Sequence, residues 1–160
     1  MVVLKTGPIE TISDLETLIR RWAHHWEVAV PLSRADVEAM FASRGFSPEL
    51  NTRAYWTGSD LIAFGLVKGA DPAANLGRVA IFGLVDPSHR HHGIGRSLLA
   101  WQVERAAELL VETTPGESRE IKVIGDAGVD EHSRLYLRYG FRRRRATSHS
   151  EHPVYVLILP

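Results

Sequence analysis

Hydrophobic residues recur along this chain with two periods, and each change of period marks a boundary between predicted helices and strands. A first helical stripe, with apolar side chains three and four residues apart, consists of Leu15, Leu18, Ile19 and Trp22. Ser13 and Glu16 have the spacing of a capping box at its start, and Pro31 is expected to end it. The pattern therefore predicts an amphipathic helix near the amino terminus.

Three further elements are predicted in the first half of the chain. Val2–Leu4 is short and apolar and could form a strand ahead of the first helix. Residues 33–45 predict a second helix, which Ser33 caps and Gly45 closes. Residues 52–68 hold two β-rich runs around a Gly-Ser-Asp turn, which predicts a hairpin.

The run from Gly77 to Val85 is apolar on both faces of a predicted strand. One face carries Val79, Ile81 and Val85, and the other carries Ala80, Phe82 and Leu84. A strand with two apolar faces is expected at the centre of a sheet that is covered on both sides.

A helix and a second strand follow this central strand. The predicted helix covers residues 96–111, with Leu99, Val103, Ala106 and Leu110 buried and with Gln102, Glu104, Arg105 and Glu108 facing outward. Residues 120–125 predict the next strand, and a strand–helix–strand order implies a right-handed crossover with parallel pairing. A short helix ending at Gly140 and two strands, near 141–147 and 153–159, complete a mixed sheet with helices on both faces.

Composition narrows the class of protein. The chain has 160 residues, the size of one ordinary domain, and it has no cysteine, so no disulfide supports it. Its 19 Lys and Arg balance 19 Asp and Glu, which argues against a nucleic-acid partner. No apolar run is long enough for a membrane span, and the first residues do not resemble a signal peptide. We therefore expect a soluble, cytoplasmic protein with no membrane partner.

The stretch VDPSHRHHGIGRSLL, residues 85–99, carries the most specific chemistry. It places Gly93 and Gly95 directly before a helix, where unpaired N–H groups and the helix dipole attract phosphate. Glycine permits close approach because it has no Cβ, and Arg90 adds a permanent charge with a planar set of donors. The histidines at 89, 91 and 92 add further donors. The sequence therefore predicts a phosphate or pyrophosphate site, with a simple tight turn as the alternative.

Two common phosphate loops fit this stretch badly. A P-loop ends in Gly-Lys-Ser/Thr, whereas Gly95 is followed by Arg96 and Ser97. The dinucleotide-binding fingerprint requires a third glycine where this chain has Leu98. A dehydrogenase-like nucleotide-binding domain is therefore only a weak alternative.

A third pattern fits well. The segment R-H-H-G-I-G, residues 90–95, resembles the Q/R-x-x-G-x-G/A loop of the GNAT superfamily of N-acetyltransferases, and LYLRYGF, residues 135–141, resembles the L-Y-x-x-x-G-F segment of that family. The interval between the two motifs and the order of elements are also similar. The resemblance implies a single GNAT domain over residues 1–160, of class α/β (α+β). Its sheet would be mixed and mostly antiparallel, with about six or seven strands, about four helices, and a splayed parallel pair at the centre.

The resemblance also implies a cosubstrate, acetyl-CoA, and an amine acceptor, which could be a small molecule or a protein amine. Main-chain amides from His91 to Arg96 would hold the CoA pyrophosphate with help from Arg90, and the pantetheine arm would pair near Leu84 and Val85. The implied CoA-binding residues are Leu84, Val85, Arg90, His91, His92, Gly93, Ile94, Gly95, Arg96 and Ser97. Dimers are common in the family, so a homodimer stays open, and the sequence does not determine the oligomeric state.

For catalysis, the resemblance implies that the N–H of Val85 stabilises the oxyanion and that Tyr136 protonates the departing sulfur, with Tyr139 as the spare candidate. Residue type alone favours a packing role for Tyr136 in its helix, whereas the context LYLRYGF favours the acid role. The general base stays open, and the candidates are Glu27, Asp86, Asp130 and His132. Family members often carry an asparagine before the L-Y segment, where this chain has GVDEHSRLY. That difference leaves a catalytically inactive acyl-CoA-binding domain as the alternative.

Other clusters have simpler interpretations. His24 and His25 are adjacent on a helix and His149 and His152 flank a turn, so no metal site is expected. The run Arg142–Arg145 is interpreted as a solvated sheet edge, with a contact to the CoA 3′-phosphate or to RNA as the alternative. Among the tryptophans, Trp22 and Trp26 are expected in the core or in a wall of the acceptor pocket, and Trp101 at the surface or in a dimer contact.

Overall fold

The computed structural model of the protein describes residues 4–69, 77–113, 118–124, 130–144 and 152–160. The helices are α1 (Ile12–Trp26), α2 (Arg34–Phe41), α3 (Pro48–Asn51), α4 (Ile94–Thr113) and α5 (Asp130–Tyr139). The strands are β1 (Leu4–Gly7), β2 (Thr52–Thr57), β3 (Asp60–Gly69), β4 (Arg78–Val85), β5 (Arg119–Ile124), β6 (Arg142–Arg144) and β7 (Val154–Leu159).

The strands form one seven-stranded sheet in the order β1-β2-β3-β4-β5-β7-β6. The pairs β1–β2, β2–β3, β5–β7 and β6–β7 are antiparallel. The central pair, β4–β5, is parallel, and its register runs from Arg78 opposite Glu120 to Ile81 opposite Val123. The predicted fold class, a mixed and mostly antiparallel sheet with a parallel pair at its centre, is therefore confirmed.

The chain divides into two compact units, each built from two separate stretches. Unit 1 comprises Met1–Leu66 and Gly83–Gln102, and unit 2 comprises Val67–Phe82 and Val103–Pro160. The core of unit 1 includes the predicted stripe of α1, since Leu15, Leu18 and Trp22 are fully buried. The helices and strands of unit 2 bury Leu110, Ile121 and Phe141.

The ends of the first two helices differ from the sequence prediction. Thr11, not Ser13, caps α1, because its side chain accepts the N–H of Asp14. The helix ends at Trp26, before Pro31, because Glu27 adopts a left-handed conformation with φ of 52°. Ser33 caps α2 as predicted, but that helix ends at Phe41.

Two strand predictions also need correction, and one helix was missed. The first strand is Leu4–Gly7, beyond the predicted Val2–Leu4, of which residues 2 and 3 lie outside the described residues. Ala80 is exposed, so β4 is not covered on both faces along its whole length. The short helix α3, which Pro48 begins, was not predicted from the hydrophobic pattern because four residues are too few to show a helical period.

The helix α4 buries a polar residue that the pattern placed on its outer face. Gln102 is only 4% exposed, and its Nε2 donates to the carbonyl of Leu66 on β3 at 3.1 Å. Two glycines permit this close approach: a Cβ on Gly65 would lie 2.8 Å from Leu98 Cδ1, and one on Gly83 would lie 3.3 Å from Leu98 Cδ2. The prediction for Gln102 was therefore wrong, because the helix lies directly against a glycine-lined stretch of strands.

The remaining predictions concern surfaces. Trp101 is partly buried against a core cluster, not simply a surface residue, and its ring stacks with the Arg53 guanidinium at 4.9 Å. The arginines of β6 are exposed, as predicted for a solvated edge, and Arg144 forms two hydrogen bonds with Glu120 on β5. The described residues do not include residues 145–147 of the predicted strand, the first of which is Arg145, or His149. Within the described parts, no helix is long and apolar enough to span a membrane, and no group of three or more metal-ligating side chains occurs.

We predict that Gly65→Ala destabilises the protein by about 1–3 kcal/mol, since the new Cβ would overlap the buried side chain of Leu98. Gly69→Ala in the same strand is the matched control, because its Cβ would meet its nearest neighbour, Leu109 Cδ1, at 3.9 Å. The free energies of unfolding are measured by urea denaturation. Equal values for the two variants would contradict close seating of α4 on β3.

Candidate active site

The end of β4 and the start of α4 share one hydrophobic cluster in unit 1. Leu84 is buried, and Val85 is half-buried against the cluster. The cluster consists of Tyr55, Ile62, Ala63, Ile94 and Leu98, with Val85 and Trp101 packed against it. Because the last strand residue and the first helical turn are held by the same core, the segment between them has fixed ends.

That segment, Asp86–Gly93, is called the exit loop below. Asp86 begins it, and its N–H donates to the carbonyl of Ile62 on β3 at 2.7 Å. Its carboxylate accepts the backbone N–H of Ser88 at 2.9 Å and the Ser88 hydroxyl at 2.5 Å, which starts a short 3-10 turn over Pro87–His89. The first half of the exit loop is therefore fixed by its own side chains and by the neighbouring strand.

The carboxylate of Asp86 also forms an ion pair with α1. Its Oδ2 lies 2.5 Å from the guanidinium of Arg21, and its Oδ1 lies 3.7 Å from Nδ1 of His89. Burial acts to raise the pKa of Asp86, but the hydrogen bonds from Ser88 and the nearby Arg21 and His89 outweigh it and hold the pKa below its ordinary value. A buried, paired carboxylate with a lowered pKa accepts protons poorly, so Asp86 is better suited as an anchor than as the general base.

The second half of the exit loop has a strained backbone. His91 and Gly93 both adopt left-handed conformations, with φ of 65° and 83°. Glycine adopts this conformation freely, but a histidine does so at a cost that the surrounding structure must offset. Such conformations turn successive main-chain N–H groups towards a common centre and so form anion-binding concavities.

The helix α4 begins directly after this turn. The carbonyl of Gly93 accepts the N–H of Ser97 at 3.1 Å, so the helical hydrogen bonds start there. The N–H groups of Ile94, Gly95 and Arg96 belong to the first turn, which has no acceptor within a helix. His91, His92, Gly93, Arg96 and Ser97 are exposed, whereas Ile94 is buried and Gly95 is half-buried. The exposed residues on both sides of Ile94 and Gly95 are therefore accessible to a ligand.

Arg90, the arginine of the glycine motif, is half-buried and lies over an aromatic ring. Its guanidinium carbon is 5.1 Å from the centre of the Trp26 ring at the end of α1. Trp26 is thus a neighbour of the exit loop, which the sequence did not indicate, because the two residues are far apart along the chain and no motif connects them. The same is true of Arg21 and Asp86.

The predicted acid, Tyr136, belongs to unit 2. It lies on α5, is half-buried, and its ring centre is 5.9 Å from that of Phe141 and 5.6 Å from that of Tyr155. Tyr139 is more exposed and also contacts Phe141, at 6.4 Å. The helix that carries both tyrosines ends at Tyr139 and is followed by Gly140 with φ of 106°, as the motif predicts.

The other candidates for the general base are placed as follows. Glu27 is exposed at the end of α1, and Asp130 begins α5. His132 is half-buried on α5, one turn before Tyr136. The structure therefore places the predicted CoA-binding residues from Leu84 to Ser97 in unit 1, and Tyr136 and His132 on one helix of unit 2.

Comparison with known proteins identifies the family. Residues 52–143, more than half of the chain, match the family described as Acetyltransferase (GNAT) domain. The chain therefore belongs to the GNAT acetyltransferase family, in agreement with the resemblance seen in its two motifs. No curated protein matches the sequence significantly.

Solved structures agree on the fold. A GCN5-related N-acetyltransferase from Sphaerobacter thermophilus has a TM-score of 0.71 and 16% identity, over 88% of this chain and 44% of its own. Ard1 from Thermoplasma volcanium has a TM-score of 0.69 and 16% identity, over 99% of both chains. A phosphinothricin acetyltransferase from Sinorhizobium meliloti, solved in complex with AcCoA, has a TM-score of 0.63 and 14% identity, over 98% of this chain and 88% of its own. The present chain thus spans less than half of the Sphaerobacter chain.

The ion pair of Asp86 predicts a dependence of stability on pH. Because the pKa of Asp86 is lowered in the folded state, its contribution is present above the unfolded pKa and is lost as the pH falls through the folded pKa. Asp86→Asn should therefore cost about 1–3 kcal/mol at pH 7, and this difference from the wild type should shrink below about pH 4. Urea unfolding between pH 3 and 8 measures it. Glu104→Gln, an exposed carboxylate-to-amide change on α4, is the control and should show little difference at any pH. A cost for Asp86→Asn that is unchanged at pH 3 would contradict the assignment.

Proposed function

We propose that this protein is an N-acetyltransferase that moves the acetyl group of acetyl-CoA directly to a primary amine. The observation that carries the proposal is the exit loop, in which left-handed turns at His91 and Gly93 lead into the open first turn of α4. The diphosphate of CoA is an anion of the size and charge that such a turn binds. Family membership supports an acyl carrier as the donor, in preference to a nucleotide such as ATP.

In this proposal, the main-chain amides from His91 to Arg96 bind the CoA diphosphate. Arg90 and the Ser97 hydroxyl supply further donors, and the exposed His92 and Arg96 add positive or polar groups at the rim. The main chain of Leu84 and Val85, at the end of β4, pairs with the pantetheine arm. The complex of the Sinorhizobium protein with AcCoA supports acetyl-CoA as the donor for a chain of this fold.

The chemistry requires three contributions from the protein. A neutral amine attacks the thioester carbonyl carbon, and the N–H of Val85 stabilises the resulting oxyanion. The carbon–sulfur bond then breaks, and Tyr136 donates its phenolic proton to the departing thiolate. The proton that the amine nitrogen loses passes to a base, for which His132, one helical turn before Tyr136 on α5, is a candidate.

The direct test measures thiol release from acetyl-CoA with a panel of amines that contains small amines, amino acids and peptide amino termini. The proposal requires release that depends on both the donor and an amine. Tight CoA binding without release for any amine would instead indicate a non-catalytic acyl-CoA-binding domain. Absence of CoA binding would overturn the proposal altogether.

Replacement of Gly93 tests the phosphate site. Gly93→Val should abolish measurable CoA binding, because the left-handed backbone at φ of 83° disfavours a β-branched residue and the new Cβ occupies the face that a phosphate approaches. Gly45→Val is a matched control, since Gly45 has the same φ of 83° and also has open space around its Cβ position. Isothermal titration with CoA compares the two. Equal affinities would show that the diphosphate binds elsewhere.

Replacement of Tyr136 tests the acid. Tyr136→Phe keeps the ring contacts with Phe141 and Tyr155 but removes the hydroxyl, so kcat should fall about 10- to 100-fold while CoA affinity changes little. Tyr139→Phe is the parallel variant, and it should leave kcat unchanged. The reverse result would transfer the role to Tyr139.

A further inference from the structure

The last two turns of α1 touch the exit loop at two separate points. Arg21 contacts the carboxylate of Asp86, the first residue of the exit loop, with 2.5 Å between nitrogen and oxygen. Trp26, five residues further along α1, lies under the guanidinium of Arg90 at 5.1 Å. The two contacts bracket the 3-10 turn over Pro87–His89. We call this pair of contacts the α1 clasp.

The first contact of the α1 clasp belongs to a closed set of bonds with β3. The same Arg21 guanidinium donates to the carbonyl of Leu61 at 3.0 Å, and the N–H of Asp86 donates to the carbonyl of Ile62 at 2.7 Å. These bonds connect Arg21 and Asp86 to two adjacent residues of β3. The Asp86 side chain within this set is only 6% exposed. The start of the exit loop cannot move relative to α1 without breaking these bonds.

The second contact orients the arginine of the glycine motif. The Trp26 ring attracts the guanidinium that lies over it through a cation–π interaction. This contact limits the rotation of the Arg90 side chain. An arginine that is already oriented loses less conformational entropy when an anion binds.

The strained turn at His91 follows directly after these contacts and depends on them. His91 is held at φ of 65°, a conformation that a non-glycine residue keeps only where its surroundings over-determine it. Asp86 and Arg90, on the amino-terminal side of His91, are held by α1, and Ile94, on the other side, is buried in the hydrophobic cluster. The exit loop is thus held at both ends, on either side of the left-handed turns at His91 and Gly93.

We propose that Arg21 and Trp26 are positioning residues for the cosubstrate: through the α1 clasp they hold Asp86 and Arg90 so that the exit loop is ready to bind the diphosphate of CoA. This inference rests on the proposed function, and it adds two residues outside the glycine motif that set CoA affinity. Neither residue touches the reacting atoms, so the clasp acts on binding of the donor and leaves the chemical step unchanged.

The test measures the Kd of CoA by isothermal titration and the KM of acetyl-CoA with kcat by thiol release. Trp26→Leu should weaken CoA binding about 3- to 30-fold and raise KM by the same factor, with kcat unchanged at saturating acetyl-CoA. Trp26→Tyr keeps an aromatic face under Arg90 and should restore most of the affinity. Trp56→Leu is the matched control, because the ring of Trp56, on β2, also carries a cation, with Lys5 Nζ 5.1 Å from its centre.

A double-mutant cycle separates positioning from general destabilisation. If Trp26 acts through Arg90, then Trp26→Leu should weaken CoA binding in the wild-type background but not further in an Arg90→Ala background. The corresponding cycle joins Arg21→Gln with Asp86→Asn, and it decides the matter if Trp26→Leu does not fold. Additive effects in the cycle, or a wild-type Kd for Trp26→Leu, would overturn the α1 clasp while leaving the proposed function intact. A wild-type protein that does not bind CoA would overturn the proposed function itself, and the clasp with it.

Discussion

The carboxylate of Asp86 is the contact on which the shape of the candidate site depends. It lies almost fully buried where β4 ends. It accepts hydrogen bonds from Ser88 and forms an ion pair with Arg21. A carboxylate buried in this way is stable only when such partners surround it. Ser88 and Arg21 must therefore lie within bonding distance of Asp86. The 3-10 turn, the direction of the exit loop and the distance of α1 from the loop all follow from that requirement.

The second constraint is the close seating of α4 on the strands beside it. Gly65 and Gly83 leave room for Leu98 and for the buried amide of Gln102, which donates to a strand carbonyl. Close packing of this kind tolerates little displacement. Since Leu98 lies one turn after Ile94 and both are buried, the first turn of α4 is held firmly. An anion site made of main-chain groups needs such rigidity, because no side chain can adjust to compensate.

The parts of the site that were predictable are those in which function is contained in a short segment. Between Arg90 and Ser97, glycine positions, the start of a helix and a fixed charge follow each other along the chain, so the sequence already implies their arrangement. The α5 motif is local in the same sense, and its helix ends at Gly140 as predicted. In contrast, Gln102 was assigned to solvent because a helical wheel contains no information on what lies opposite a polar residue. Arg21 and Trp26 were not linked to the loop because their partners are more than 60 residues away.

By itself, the sequence determined the fold class, the family and the location of the glycine turn that we propose for phosphate binding, because hydrophobic period and glycine placement act through the local backbone. The tertiary structure alone decided that a carboxylate at the strand end is an anchor, that an amide of α4 is buried, and that the first helix holds the arginine of the loop. These outcomes depend on which surfaces meet when distant segments pack. Hydrogen bonds and ion pairs between such segments form because the segments lie close together in space. A pattern along the chain does not show which distant residues become neighbours.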